Sequence, residues 1–159
     1  MAIPLIDAID IENKGVTADA LLTQRKLAER LIKERHARCH FTVKGNQRGV
    51  LQDLALLFQD RQQPDFVQYT PPDHGRIEIR KIWTTTELND YLDFPYVRQA
   101  FLIERRSIQK KSGIRSCKIA YGITSRTAEQ ADPERILNVN RSHWTIENSL
   151  SLHHRLELR

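Results

Sequence analysis

Apolar residues recur along this chain in two rhythms, and the change between them divides it. In the first third the spacing is helical. IPLIDAIDIEN places Pro4 in a first turn and Leu5, Ile6 and Ile9 on one side, which predicts a short helix ended by Lys14-Gly15. GVTADA then predicts a buried strand from Val16 to Ala18 that stops at Asp19. LLTQRKLAERLIKER carries Leu27, Ala28, Leu31 and Ile32 on one helical face. His40 to Val43 returns to β character and stops at KGNQ, whose Gly45-Asn46 pair is a turn signal. Val50, Leu51, Leu54, Ala55 and Phe58 then mark another amphipathic helix. Strands alternating with helices imply parallel pairing in an α/β layer.

Beyond a proline-containing loop around Pro64, Pro71 and Pro72 the period shortens to two. RIEIRKIW alternates, and QAFLIERRSIQKKSGIRSCKIAYGI predicts two strands around a Lys111-Ser112-Gly113 turn, with Cys117, Ile119, Tyr121 and Ile123 on one face. ADPER supplies Asp132 as an N-cap and Pro133 at the first helical position, opening a final helix through RILNVNRSHWTIENSL. The expected fold class is α/β, with an antiparallel β insertion before the last helix. The 159 residues suffice for one core but not for two ordinary ones. The chain is therefore read as one unit: an α/β part over about 1–60, the β insertion over 61–126, and a C-terminal helix over 127–159.

Composition changes this picture little. Hydrophobic residues make up 40% and charged residues 28%, ordinary globular usage. Apolar runs fall far short of the ~20 residues that span a bilayer, and the opening segment is acidic where a signal peptide would be basic, so a cytoplasmic location off the membrane is expected. Cys39 and Cys117 stand far apart and are expected to be buried, reduced thiols. The net charge of +5 favours a polyanionic partner.

Four segments, taken in order, resemble H-repeat-associated insertion-sequence transposases of the DDE class: IPLIDAIDIENKGVTADALLTQ, FTVKGNQ, DHGRIEIRKIW and NRSHWTIENSL. The resemblance covers about residues 2–150. It implies a ribonuclease-H-like catalytic domain in which Asp, Asp and Glu hold two Mg²⁺ or Mn²⁺ ions for phosphodiester cleavage and strand transfer, since hard cations take oxygen ligands and a metal pair stabilises both attacking and leaving oxygens. The second Asp matches Asp19 and the Glu matches Glu147, so these are the expected catalytic and metal-binding residues. A plain helix cap is the alternative for Asp19. Residues flanking the Glu imply DNA contacts for Arg141, His143 and Asn148. Lys44 in KGNQ is a further candidate phosphate contact. So is the basic hairpin with Arg105, Arg106, Lys110, Lys111, Arg115 and Lys118, for which a lysine-guarded soluble strand edge is the competing reading.

The family's first Asp lies in an Asp-Gly-Lys motif on an opening strand that this sequence does not contain, which implies a partial ribonuclease-H-like fold lacking the opening strands and a catalytically incomplete copy. The tail SLHHRLELR also departs from the family's continuation. The expected partner is DNA, either transposon ends or non-specific duplex, in a bacterial nucleoid. The alternative is a non-enzymatic DNA-binding protein or a partner that pairs with itself or with a full-length transposase through an uncovered strand edge.

Overall fold

The computed structural model describes residues 7–18, 24–73 and 75–142. They build one mixed α/β unit around a six-stranded sheet. Strand β1 (Gly15–Ala18) is followed by helix α1 (Arg25–Glu29), which continues as a π turn over Arg30–Glu34. Strand β2 (Arg38–Val43) leads through a short 3₁₀ turn (Gly45–Gln47) into helix α2 (Arg48–Leu57). Strands β3 (Phe66–Asp73), β4 (Arg76–Thr85), β5 (Gln99–Gln109) and β6 (Arg115–Thr124) follow, and helix α3 occupies 133–142.

The sheet order is β1-β2-β6-β5-β4-β3. β1 and β2 run parallel, Val16 opposite Cys39 and Ala18 opposite Phe41, joined by α1 as the alternating pattern requires. Every other pairing is antiparallel. The antiparallel strands are not a separate layer, because β6 pairs directly with β2, Phe41 opposite Ile123, and continues the same sheet.

Each face of the sheet has its own cover. On one face α1 and α2 bury Leu27, Leu31, Val50 and Leu54 against Cys39, Phe41, Val43, Leu102 and Ile123. A turn-rich stretch after β4 adds Leu92, Phe94 and Val97 to this core, Phe94 meeting Phe41 edge-on at 6.1 Å. Trp83 is a packing anchor there: its indole N–H donates to the Gln62 carbonyl at 3.4 Å and Arg61 stacks on its ring. On the other face α3 packs Ile136 and Leu137 onto Ile82, Phe101 and Ile103. Asp132 caps α3 by accepting from the Arg135 amide at 2.8 Å, as its sequence position predicts.

Two expectations are corrected. Pro71 and Pro72 lie in a strand, not a loop; β3 is an outer strand of the sheet, bonded among the described residues on one side only, and the register shifts between Thr70 and Asp73 where the prolines cannot donate. Cys39 is buried, but Cys117 is exposed, because the α1/α2 cover does not extend that far along β6. Burial pushes the Cys39 thiol up, against the lowering effect of its hydrogen bonds with Ser125. The opening helix expected over the first residues falls, apart from Asp7 onward, outside the described residues. Among the described residues no helix is long and apolar enough to cross a membrane.

Gly122 is a close-approach position. It stands directly opposite Phe101, whose fully buried ring fills the space that a side chain at 122 would need. Gly122→Ala is expected to lower stability by about 1–3 kcal/mol. In a denaturant double-mutant cycle, Phe101→Leu should recover part of that loss; strict additivity would show that the contact is not the cause.

Candidate functional site

The face covered by α3 carries a dense group of charged side chains. Register puts Gln68, Arg80, Arg105 and Lys118 in one row across β3, β4, β5 and β6. Three cations directly opposite one another repel, so the row needs counter-charge. The adjacent row supplies it: Thr70, Glu78, Ser107 and Ser116 align there.

Glu78 is 6% exposed. Its carboxylate accepts from Arg105 at 3.0 Å and from Arg76 at 2.9 Å, and it also pairs with Arg80. Burial pushes its carboxyl up, but Arg80, Arg105 and Arg76 together outweigh that and leave it below the ordinary glutamate value. Burial also lowers Arg80, opposed by Glu78 and reinforced by the nearby charges of Arg141 and Arg105. Arg80 donates in addition to Thr70 Oγ1 at 3.0 Å, and the Ser107 and Ser116 hydroxyls bond each other at 2.5 Å.

Helix α3 closes one side of this region. Gln68 on β3 donates to Asn138 at 3.2 Å and accepts from Arg141 at 3.2 Å, while Asn140 reaches His40 on β2 at 3.2 Å. His40 in turn stacks on Phe101, 4.8 Å between centroids. The result is a groove of about 840 Å³. Its floor is apolar where Ile103, Ala120 and Leu137 meet, and among the described residues its walls carry Arg76, Arg80, Arg105, Lys111, Lys118 and Arg141 against the single carboxylate of Glu78. Such a surface suits a polyanion, because guanidinium forks bind phosphate oxygens in pairs and the low-dielectric floor weakens competition from water.

The structure divides the expected DNA-contacting residues. Arg105, Lys111 and Arg141 line the groove, and so does Lys118. Arg106, one residue along β5, points to the other face and pairs with Glu104 at 2.6 Å. Arg115 alternates to that face as well. Lys110 sits in the turn, its amide donating to the Gly75 carbonyl at 2.8 Å. Lys44 is exposed at the end of β2, preceding the 3₁₀ turn. The hairpin is therefore not one basic surface. Period-two alternation contains this division, whereas the groove residues Arg76 and Arg80, which the sequence reading missed, required the pairing of β4 with β5.

Asp19, His143, Glu147 and Asn148 lie outside the described residues. The elements leading to them converge: Thr17 near the end of β1 and Asn138 and Ser142 on α3 line one cavity of about 530 Å³, shared with Asp132, Glu134 and Arg135. Among the described residues, no three His, Cys, Asp or Glu side chains come together as a metal site.

Comparison with known proteins adds a second line of evidence. An uncharacterized protein in the dhlA 3′ region of Xanthobacter autotrophicus is 32% identical over 136 residues, covering 80% of this chain and 45% of that protein. Two proteins of Escherichia coli K12 align across 99% of the chain and 43% of their own length: YbfL at 29% identity, and the "H repeat-associated putative transposase YhhI" at 28%. The chain is a distant relative of a transposase-like protein. It spans less than half the length of these three relatives. No protein-family model matches it.

Proposed function

We propose that this chain is part of a DDE transposase-like catalytic domain, with a partial ribonuclease-H-like fold, and that its groove between α3 and strands β3 to β6 contacts the phosphodiester backbone of DNA. The observation that carries this reading is the groove wall, where among the described residues six cations face one carboxylate. Duplex DNA offers a regular line of phosphates to such a surface, and contacts to phosphate position a duplex without reading its sequence. The distant relationship to YhhI supports the same direction. The cell compartment that goes with it is the bacterial cytoplasm, at the nucleoid.

In this proposal Asp19 and Glu147 are the catalytic carboxylates, and their oxygen donors suit Mg²⁺ or Mn²⁺, which would supply charge stabilisation at the attacking and leaving oxygens. His143 and Asn148 join Arg141 along the DNA. The 159 residues contain no Asp-Gly-Lys to provide the third carboxylate. Two carboxylates hold a metal pair weakly, so the chain by itself is expected to give no detectable nicking of supercoiled plasmid with either metal. Supplying an Asp-Gly-Lys opening strand should create activity that Asp19→Ala or Glu147→Ala abolishes. Cleavage by the chain alone that survives both substitutions would refute the carboxylate assignment.

A second reading, a non-enzymatic partner of a larger transposase, is favoured by one observation. β1 is an outer strand, paired among the described residues with β2 alone. Backbone groups on such an edge are available to another strand, in a second copy or in an intact transposase. Concentration-dependent sedimentation, with and without an intact relative, separates the two readings.

A further inference from the structure

At the opposite end of the sheet from the groove, where β1 begins and β6 ends, Gly15 stands opposite Arg38 and three arginines come together. Arg38 at the start of β2 donates to the Gln130 side chain at 2.6 Å, and Arg135 on α3 donates to the Gln130 backbone carbonyl at 2.9 Å. Arg126 follows β6, its backbone held by the Thr124 hydroxyl at 3.2 Å and by Gln99 at 3.1 Å. Its guanidinium lies over Gly15, occupying the space a side chain there would fill. Among the described residues none of the three forms an ion pair with Asp or Glu. Of the acids near Arg135 in the chain, Asp132 is engaged with the α3 amide it caps, and Glu129 and Glu134 are exposed.

Like charges gathered this closely destabilise one another. Burial, then the charges of Arg135 and Arg38, lowers the Arg126 guanidinium. A shared oxyanion reverses the sign of all three interactions at once, and three guanidinium forks supply more donors than a carboxylate has acceptors, which matches the three or four oxygens of a phosphate. We propose that Arg38, Arg126 and Arg135 form a phosphate-binding site, distinct from the groove, with Arg126 at its centre and Gly15 providing the room for its guanidinium. The site takes a phosphate group, whether free or carried on a nucleic-acid backbone.

Calorimetric titration of the whole chain with pyrophosphate tests it. One saturable event is expected, weakened about ten-fold or more by Arg126→Ala, because a charge-assisted bidentate contact is lost. Arg126→Lys should lose most of that affinity while keeping the charge. Arg135→Ala, at an exposed position, gives a second variant whose folding is not in question and should also weaken binding. Arg48→Ala, an exposed arginine on α2, should leave it unchanged. Titration of a short duplex identifies the source: if Arg126→Ala weakens duplex and pyrophosphate alike, the phosphate belongs to nucleic acid, and if only pyrophosphate is affected, it is a free phosphate. The groove variant Arg105→Ala/Lys118→Ala should retain pyrophosphate binding, so failure of the groove reading leaves this site standing. Absence of saturation, or equal losses in Arg48→Ala and Arg126→Ala, overturns the proposal.

Discussion

Glu78→Ala is expected to destabilise the fold by about 3 kcal/mol, toward the low end of the range for breaking a buried ion pair. The loss arises less from the missing attraction than from what remains. Arg80, whose side chain is only 11% exposed, would face Arg105 across the β4 and β5 pairing without a counter-ion. Arg76 can turn to water, its side chain being 48% exposed, which keeps the cost from rising further. Glu78→Gln should fall between wild type and Ala, since it keeps hydrogen-bond acceptance but not charge.

The same residue predicts a pH dependence. Its folded carboxyl lies below the ordinary glutamate value of 4.5, so its contribution to stability is present above that pH and is lost as pH falls through the folded value. Melting curves of wild type and Glu78→Gln should therefore converge as the solution is acidified below about pH 4.5. A constant gap between them would mean that the carboxylate charge is not what stabilises the three arginines.

Double substitution of Arg105 and Lys118 by Ala is expected to weaken duplex DNA binding about ten-fold or more at low salt and to make the logarithmic salt slope shallower by about 2, one phosphate contact per removed cation. These two residues are neighbours in the cationic row and stand opposite each other on β5 and β6. Arg106→Ala/Arg115→Ala removes the same charge from the same hairpin but from its other face, and should change affinity by no more than about two-fold, the general effect of net charge. Titration of labelled duplex at several salt concentrations reads both. Equal losses in the two variants would reduce the interaction to net charge and remove the groove from the account. Glu78→Gln offers a cross-check of opposite sign, because removing the only groove carboxylate among the described residues should tighten DNA binding while it lowers stability.

Local pattern settled much of this protein. The alternation through QAFLIER and SCKIAYGI set two strands and the faces of their side chains. Helical spacing set α1 and α2, and Asp132-Pro133 set the start of α3, because capping and period act within a few residues. Their strand-helix order also implied the parallel pairing of β1 with β2. The prolines of β3 read as a loop because local chemistry disfavours Pro in a strand, and only its outer position, with one bonded side, makes them tolerable. Whether each cysteine is covered depended on how far α1 and α2 reach over the sheet. The groove was hidden for the same reason: the basic residues of the hairpin were visible in the sequence, but that Arg105 shares a wall with Arg76, Arg80 and Arg141 while Arg106 does not follows from registers between strands and a helix distant in the chain. Periodicity assigns a residue to a face; only the tertiary structure decides which other charges that face brings within Coulombic reach.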